Sequence, residues 1–157
     1  EYSEIRFIIF GGGSNFEDFK KESLSYNNVV VRKLLPLEYV SNVYSIGNSA
    51  LITCKKGTGV AGMPSKTWSI MACNVPIIAS FDEESELAKT LEKSESGVCV
   101  EAENEEKLSN AIKASYFKWK KDKISLNSKG REYVESNASR EKCVGRYIDI
   151  LKNYNSI

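Results

Sequence analysis

Five short apolar runs recur along the chain: IRFIIF (5–10), VVVRKLL (29–35), ALITC (50–54), VPIIA (75–79) and GVCV (97–100). Runs this short and apolar on both faces suit strands covered by helices on either side. The segments between them are too long for hairpins and place their apolar residues at helical spacing. This alternation is the pattern of an α/β domain, an open doubly wound (Rossmann-like) parallel sheet with right-handed crossovers and C-terminal helices.

The helical segments carry their own punctuation. Asn15 stands where it can cap a helix bearing Phe16, Phe19 and Leu24. Tyr39, Val40, Val43 and Tyr44 form a second pattern, with Gly47 placed to end it. A polar helix is expected over 85–94, with Leu87 and Leu91 on one face, and another over 104–115. Two more follow, about 124–136 and 139–153; the last shows Val144, Tyr147, Ile148 and Leu151 at i, i+3, i+4, i+7. At 157 residues the chain reads as one domain, 1–157, with 124–157 as its C-terminal helices. Because it opens on Glu1 and enters a strand almost at once, it also reads as a piece of a longer protein.

Charge and cysteine content narrow the function classes. Lys plus Arg (22) nearly balances Asp plus Glu (21), so bulk charge gives no reason to expect a nucleic-acid partner. Cys54, Cys73, Cys99 and Cys143 are scattered without a CxxC pair and read as small buried apolar residues of a reducing compartment. Histidine is absent, which removes Ser-His-Asp and Cys-His catalysis.

Ligands of open α/β sheets bind beyond the carboxyl ends of the strands, an edge formed here by the loops 11–14, 33–36 and 55–64. The third loop is the most informative. Gly57, Gly59 and Gly62 let backbone amides approach a ligand, and Pro64 with Ser65 as cap starts a short helix. A helix start attracts anions, whereas Lys66 in its first turn works against the helix dipole by ~0.3–1 kcal/mol. A bound phosphate is one reason for a lysine there; the other reading is a surface loop with a solvated lysine. Ser65, Lys66 and Ser69 share a polar strip, Trp68, Met71 and Ala72 take the core side, and Asn74 suits a left-handed terminator.

Other features stay open between two readings. Gly11-Gly12-Gly13 lacks GxGxxG spacing and serves a tight turn or the ligand edge. Arg32-Lys33 is solvated or lines a nucleotide cleft. The acidic run 82–86 is a carboxylate cluster or, better, the negative start of the next helix. The aromatic-basic stretch 116–121 suits a nucleic-acid or membrane surface, or packing onto a neighbouring domain.

Taken in order, IRFIIFGGG, NVVVRKLLP, LEYVSNVYSIGNSALITC, MPSKTWSIMACNVPIIAS, GVCVEAENEEKLSNAI and GREYVESNASREKCVGRYIDIL resemble the C-terminal half of family 4 (group 1) glycosyltransferases. The similarity covers almost the whole chain, and PSK…MA…VPIIAS is its strongest piece. It implies one half of a GT-B fold, a domain that binds a UDP- or GDP-sugar, and transfer that is typically retaining and uses no metal or other cofactor. Gly62, Met63, Pro64, Ser65, Lys66 and Ser69 would hold the diphosphate and donor sugar. Lys33, Leu34, Gly12 and Gly13 would meet the base and ribose. The implied partners are an N-terminal acceptor domain of the same chain and a glycan or lipid-linked acceptor, in a cytoplasmic enzyme of bacterial surface polysaccharide synthesis, either free or peripheral at the inner face of the membrane.

Two departures from the family pattern matter. Its two glutamates, eight positions apart, fall on Ala61 and Ser69, and its basic pair would lie upstream of Glu1. A PSK-type subgroup is similar in lacking these acids. The losses leave room for a GT-B-like module without catalysis; an epimerase on the same scaffold is disfavoured by the missing histidine.

Overall fold

The computed structural model describes residues 2–122 and 128–154, and its α/β elements follow the expected order. The start of the helix expected over 124–136 lies outside the described residues. Strands β1 (Phe7–Gly11), β2 (Val29–Lys33), β3 (Ala50–Thr53), β4 (Ile77–Phe81) and β5 (Gly97–Glu101) alternate with helices. These are α1 (Phe16–Ser23), α2 (Val40–Ile46), α3 (Lys66–Ala72), α4 (Glu86–Ser94), α5 (Glu105–Asp122), α6 (Ser128–Asn137) and α7 (Arg140–Tyr154). Every strand pair is parallel. The strands do not form one sheet: β1 pairs with β2, while β3, β4 and β5 form a second sheet in that order. The chain divides into two compact units, 1–43 and 44–157.

The first unit is thinly covered. β1 was expected to be shielded on both faces, yet none of its residues is buried and Ile8 is 46% exposed. Two strands and a short helix supply too little apolar surface to enclose both sides. Asn15 does not cap α1 with its side chain: its backbone (φ −96°, ψ 8°) is not extended, and its Oδ1 accepts a bond from Ser14 Oγ.

In the second unit β4 is buried along its whole length. Around it Ile52, Ile70, Met71, Val75, Leu87 and Leu91 form a contiguous core, each such side chain contributing about 1.5–3 kcal/mol of burial. Helix α4 follows its amphipathic pattern, with Leu87 and Leu91 inward and Ser85 accepting the Ala88 N–H at 3.2 Å. The α5 helix runs past residue 115 to Asp122 and absorbs the whole aromatic-basic stretch. Within it Lys120 lies over the Tyr116 ring. The cysteines are less buried than expected: Cys54, Cys73 and Cys99 are partly buried and Cys143 is exposed on α7, whose Tyr147, Ile148 and Leu151 also face solvent. Burial and the nearby Glu83 charge push the Cys99 thiol up to about 11. Among the described residues no helix is long and apolar enough to cross a membrane.

Candidate functional site

The corner between β3 and β4 is built by a helix with two very different ends. At its C-terminus α3 closes completely. Cys73 is the cap, and Asn74 takes the left-handed conformation (φ 61°) expected of a terminator. Asn74 N–H donates to the Met71 carbonyl and Val75 N–H to the Ile70 carbonyl, while Val75 and Ile70 meet in the core. This is a complete Schellman motif, and it returns the chain directly to β4.

The N-terminal end is open. Ser65 makes no capping bond, contrary to expectation, because its backbone (φ −57°, ψ −31°) is already helical, whereas a capping residue needs extended geometry. Thr67 N–H reaches the Pro64 carbonyl at 3.0 Å. Among the described residues, the N–H groups of Gly62, Met63, Ser65 and Lys66 donate to nothing. Ser65, Lys66 and Ser69 are all exposed, so the expected polar strip exists, and Lys66 has no ion-pair partner among the described residues. Inward, Ile70 and Met71 are buried and Trp68 is half-buried, but Ala72 is exposed and Thr67 takes the core position instead. Met63 packs its side chain against the core, which leaves only its backbone for a ligand. Ala61, one of the two positions where the family pattern carries an acid, ends a short turn at Gly59–Ala61 and is exposed.

The upstream half of the loop differs from the sequence expectation. Gly57 and Gly59 do not hold their amides free. Gly57 N–H donates to Asp82 Oδ1 at 2.8 Å and Gly59 N–H to Asp82 Oδ2 at 2.7 Å. Of the acidic run 82–86, Glu86 enters the first turn of α4 as anticipated, whereas Asp82 turns to this loop. A second carboxylate holds the same loop, with Lys56 Nζ 2.7 Å from Glu101 Oε1 at the end of β5. Hydrogen bonds from Lys56, then from Lys107 and Asn104, hold the Glu101 carboxyl down at about 2, and Glu101 in turn raises Lys56. Neither Asp82 nor Glu101 was singled out by sequence reasoning as a loop partner. The available signal was their place, each at the carboxyl end of a strand beside a loop that contains three glycines.

In the first unit the remaining candidates collect at one strand edge. Gly11 pairs in register with Lys33, and Leu34 N–H donates to the Gly11 carbonyl at 3.1 Å. Leu34 Cδ1 lies 3.4 Å from where a Gly12 Cβ would stand, and Gly13 has φ +98°. Lys33 and Leu34 are exposed there.

Parallel strands joined through helices, with a glycine corner at the carboxyl edge, define an α/β domain of the doubly wound class. Within that class, residues 1–138 match the family model described as glycosyl transferases group 1, and the chain belongs to that family. Among solved structures it resembles sucrose-phosphate synthase from Thermosynechococcus elongatus, at 18% identity and a TM-score of 0.72. That likeness covers 98% of this chain and 40% of the synthase chain, so the sequence spans well under half of that protein. No curated protein matches the chain.

Proposed function

We propose that this chain is the donor-binding domain of a nucleotide-sugar-dependent glycosyltransferase. The observation that carries the reading is the set of N–H groups at Gly62, Met63, Ser65 and Lys66 that, among the described residues, donate to nothing, beside an exposed lysine that has no ion-pair partner among them. A diphosphate supplies oxygens that accept such hydrogen bonds, and charge-assisted bonds of this kind are among the stronger ones. Ser65 and Ser69 add hydroxyl donors on the same exposed strip. Family membership supports sugar transfer, and the synthase extends well beyond the part that this chain resembles. The donor is a UDP- or GDP-sugar, the transfer retaining, and the acceptor a surface glycan or its lipid carrier.

Ala61 and Ser69 favour a second reading, a domain that binds nucleotide without transferring sugar, since neither position supplies a carboxylate to the donor. Calorimetric titration of UDP and GDP into the chain tests both readings at their common step. The expected result is saturable heat that weakens about tenfold in Lys66→Ala, the loss of one charge-assisted contact. Absence of heat at millimolar nucleotide, with the circular dichroism of a folded α/β protein, removes both. Turnover of a nucleotide sugar by the full-length protein then separates them.

A further inference from the structure

Asp82 occupies an unusual position in the fold. Its own carbonyl accepts the Ser85 N–H at 3.0 Å, which fixes its backbone in the turn leading to the α4 cap. Its carboxylate reaches the other way and takes two alternate amides of the glycine loop, one per oxygen. The loop cannot back away from β4 or swell toward it. A Cβ on Gly59 would lie 2.5 Å from Phe81 Cε1 and 3.0 Å from Asp82 Oδ2, and Phe81 is itself buried. Gly57 adopts φ +83°, a conformation that leaves its amide free to turn toward the carboxylate. Thr58 closes the turn on the Lys55 carbonyl through both its N–H and its hydroxyl. Residues 55–59 are thus pinned to the ends of two strands, and the chain leaves this pinned piece through the short turn at Gly59–Ala61 into Gly62.

We propose that Asp82 is a positioning residue for nucleotide-sugar binding: as a resident anion it fills the Gly57–Gly59 amide pair, and so fixes where residues 62–66 begin. Two consequences follow. A ligand phosphate meets only the amides from Gly62 onward, because the preceding pair is already taken by a carboxylate. Removing that carboxylate exposes a second anion-accepting pair and frees the loop that leads into the first. The proposal rests on the donor-binding reading of the preceding subsection, and its test separates the two.

The experiment compares Asp82→Ala with the unaltered chain by UDP titration and by amide proton spectroscopy, each with and without sodium acetate. The expected result for Asp82→Ala is UDP affinity lower by about tenfold, from the added cost of ordering a released loop, with loss of exchange protection at the Gly57 and Gly59 amides. Acetate, entering the space left by the side chain, restores that protection and recovers most of the UDP affinity. In the unaltered chain it changes neither, which separates rescue from competition at the phosphate site. Unchanged UDP affinity in a folded Asp82→Ala overturns the positioning role. Acetate that fails to restore the two amides overturns the resident-anion role. If Asp82→Ala does not fold, Asp82→Asn takes its place. One oxygen then remains to accept, and only one of the two glycine amides keeps its protection. If the unaltered chain binds no nucleotide, the donor-binding reading and with it the positioning role fall, while the amide spectra still decide whether Asp82 acts as the resident anion.

Discussion

The two halves of one corner, residues 57–61 and 62–66, have similar composition and opposite states. Both are rich in small residues and both lie at the carboxyl edge of the second unit's sheet. In the first half the glycine amides are spent on Asp82, and Lys56, which immediately precedes it, is spent on Glu101. In the second half, among the described residues, the amides and the lysine are unspent. Glycine content therefore does not by itself mark a ligand site. What marks it is which amides the protein leaves unsatisfied after its own carboxylates have taken their share.

Substitutions should separate the halves, stability falling in one and ligand binding in the other. The largest effect on stability is expected at Gly59. An added methyl group meets the buried Phe81 ring at 2.5 Å, so Gly59→Ala should lower unfolding free energy by about 1–3 kcal/mol in chemical denaturation. A cost near zero would mean that the loop is not held against β4, and the contrast between halves would collapse. Next come the two serines that precede helices. Ser85→Ala removes an observed cap and should cost about 0.5–2 kcal/mol, whereas Ser65→Ala removes no capping bond and should leave the thermal midpoint in place. Equal losses at the two positions would show that the α3 start is closed after all.

The smallest effect concerns acid. The Glu101 carboxyl, ordinarily near 4.5, sits at about 2 because its ionised form is hydrogen-bonded by Lys56 first, then by Lys107 and Asn104. A lowered carboxylate adds stability that is complete above the ordinary value and disappears as pH falls through the lowered one. Melting curves between these two values should therefore decline less steeply with pH in Glu101→Gln than in the unaltered chain. The difference should be modest, since the pair is solvent-exposed. An identical slope would remove Glu101 from the clasp and leave Asp82 alone to hold it.

Much of this was legible in the residues. Period and length placed all five strands, the buried leucines of α4 and the terminator at Asn74. Each depends on local pattern, which the chain carries in its own order. What was not legible depends on partners distant in sequence. Asp82 sits more than twenty residues from the glycines it holds, and its place after the strand does not by itself say which amides it meets. The capping roles of Asn15 and Ser65 failed for a related reason. A capping residue type satisfies an amide only if its backbone is extended, and that is set by the turn before it. The pairing of strands into two sheets was likewise invisible, since apolar runs state that a strand exists and not which edges meet.

The Schellman end of α3 has a consequence for how the corner can change. Locked at Asn74 and delivered at once to β4, the helix acts as a ruler whose far mark is fixed. One inserted residue would rotate everything before it by about 100° and displace it by about 1.5 Å. Ser65 would then swing toward the side now occupied by Met71, and Lys66 into the direction that Ser65 now takes. Length variation in this corner must therefore fall ahead of Gly62, in the loop, while point changes on the outward strip can alter which molecule is held without disturbing the frame that holds it.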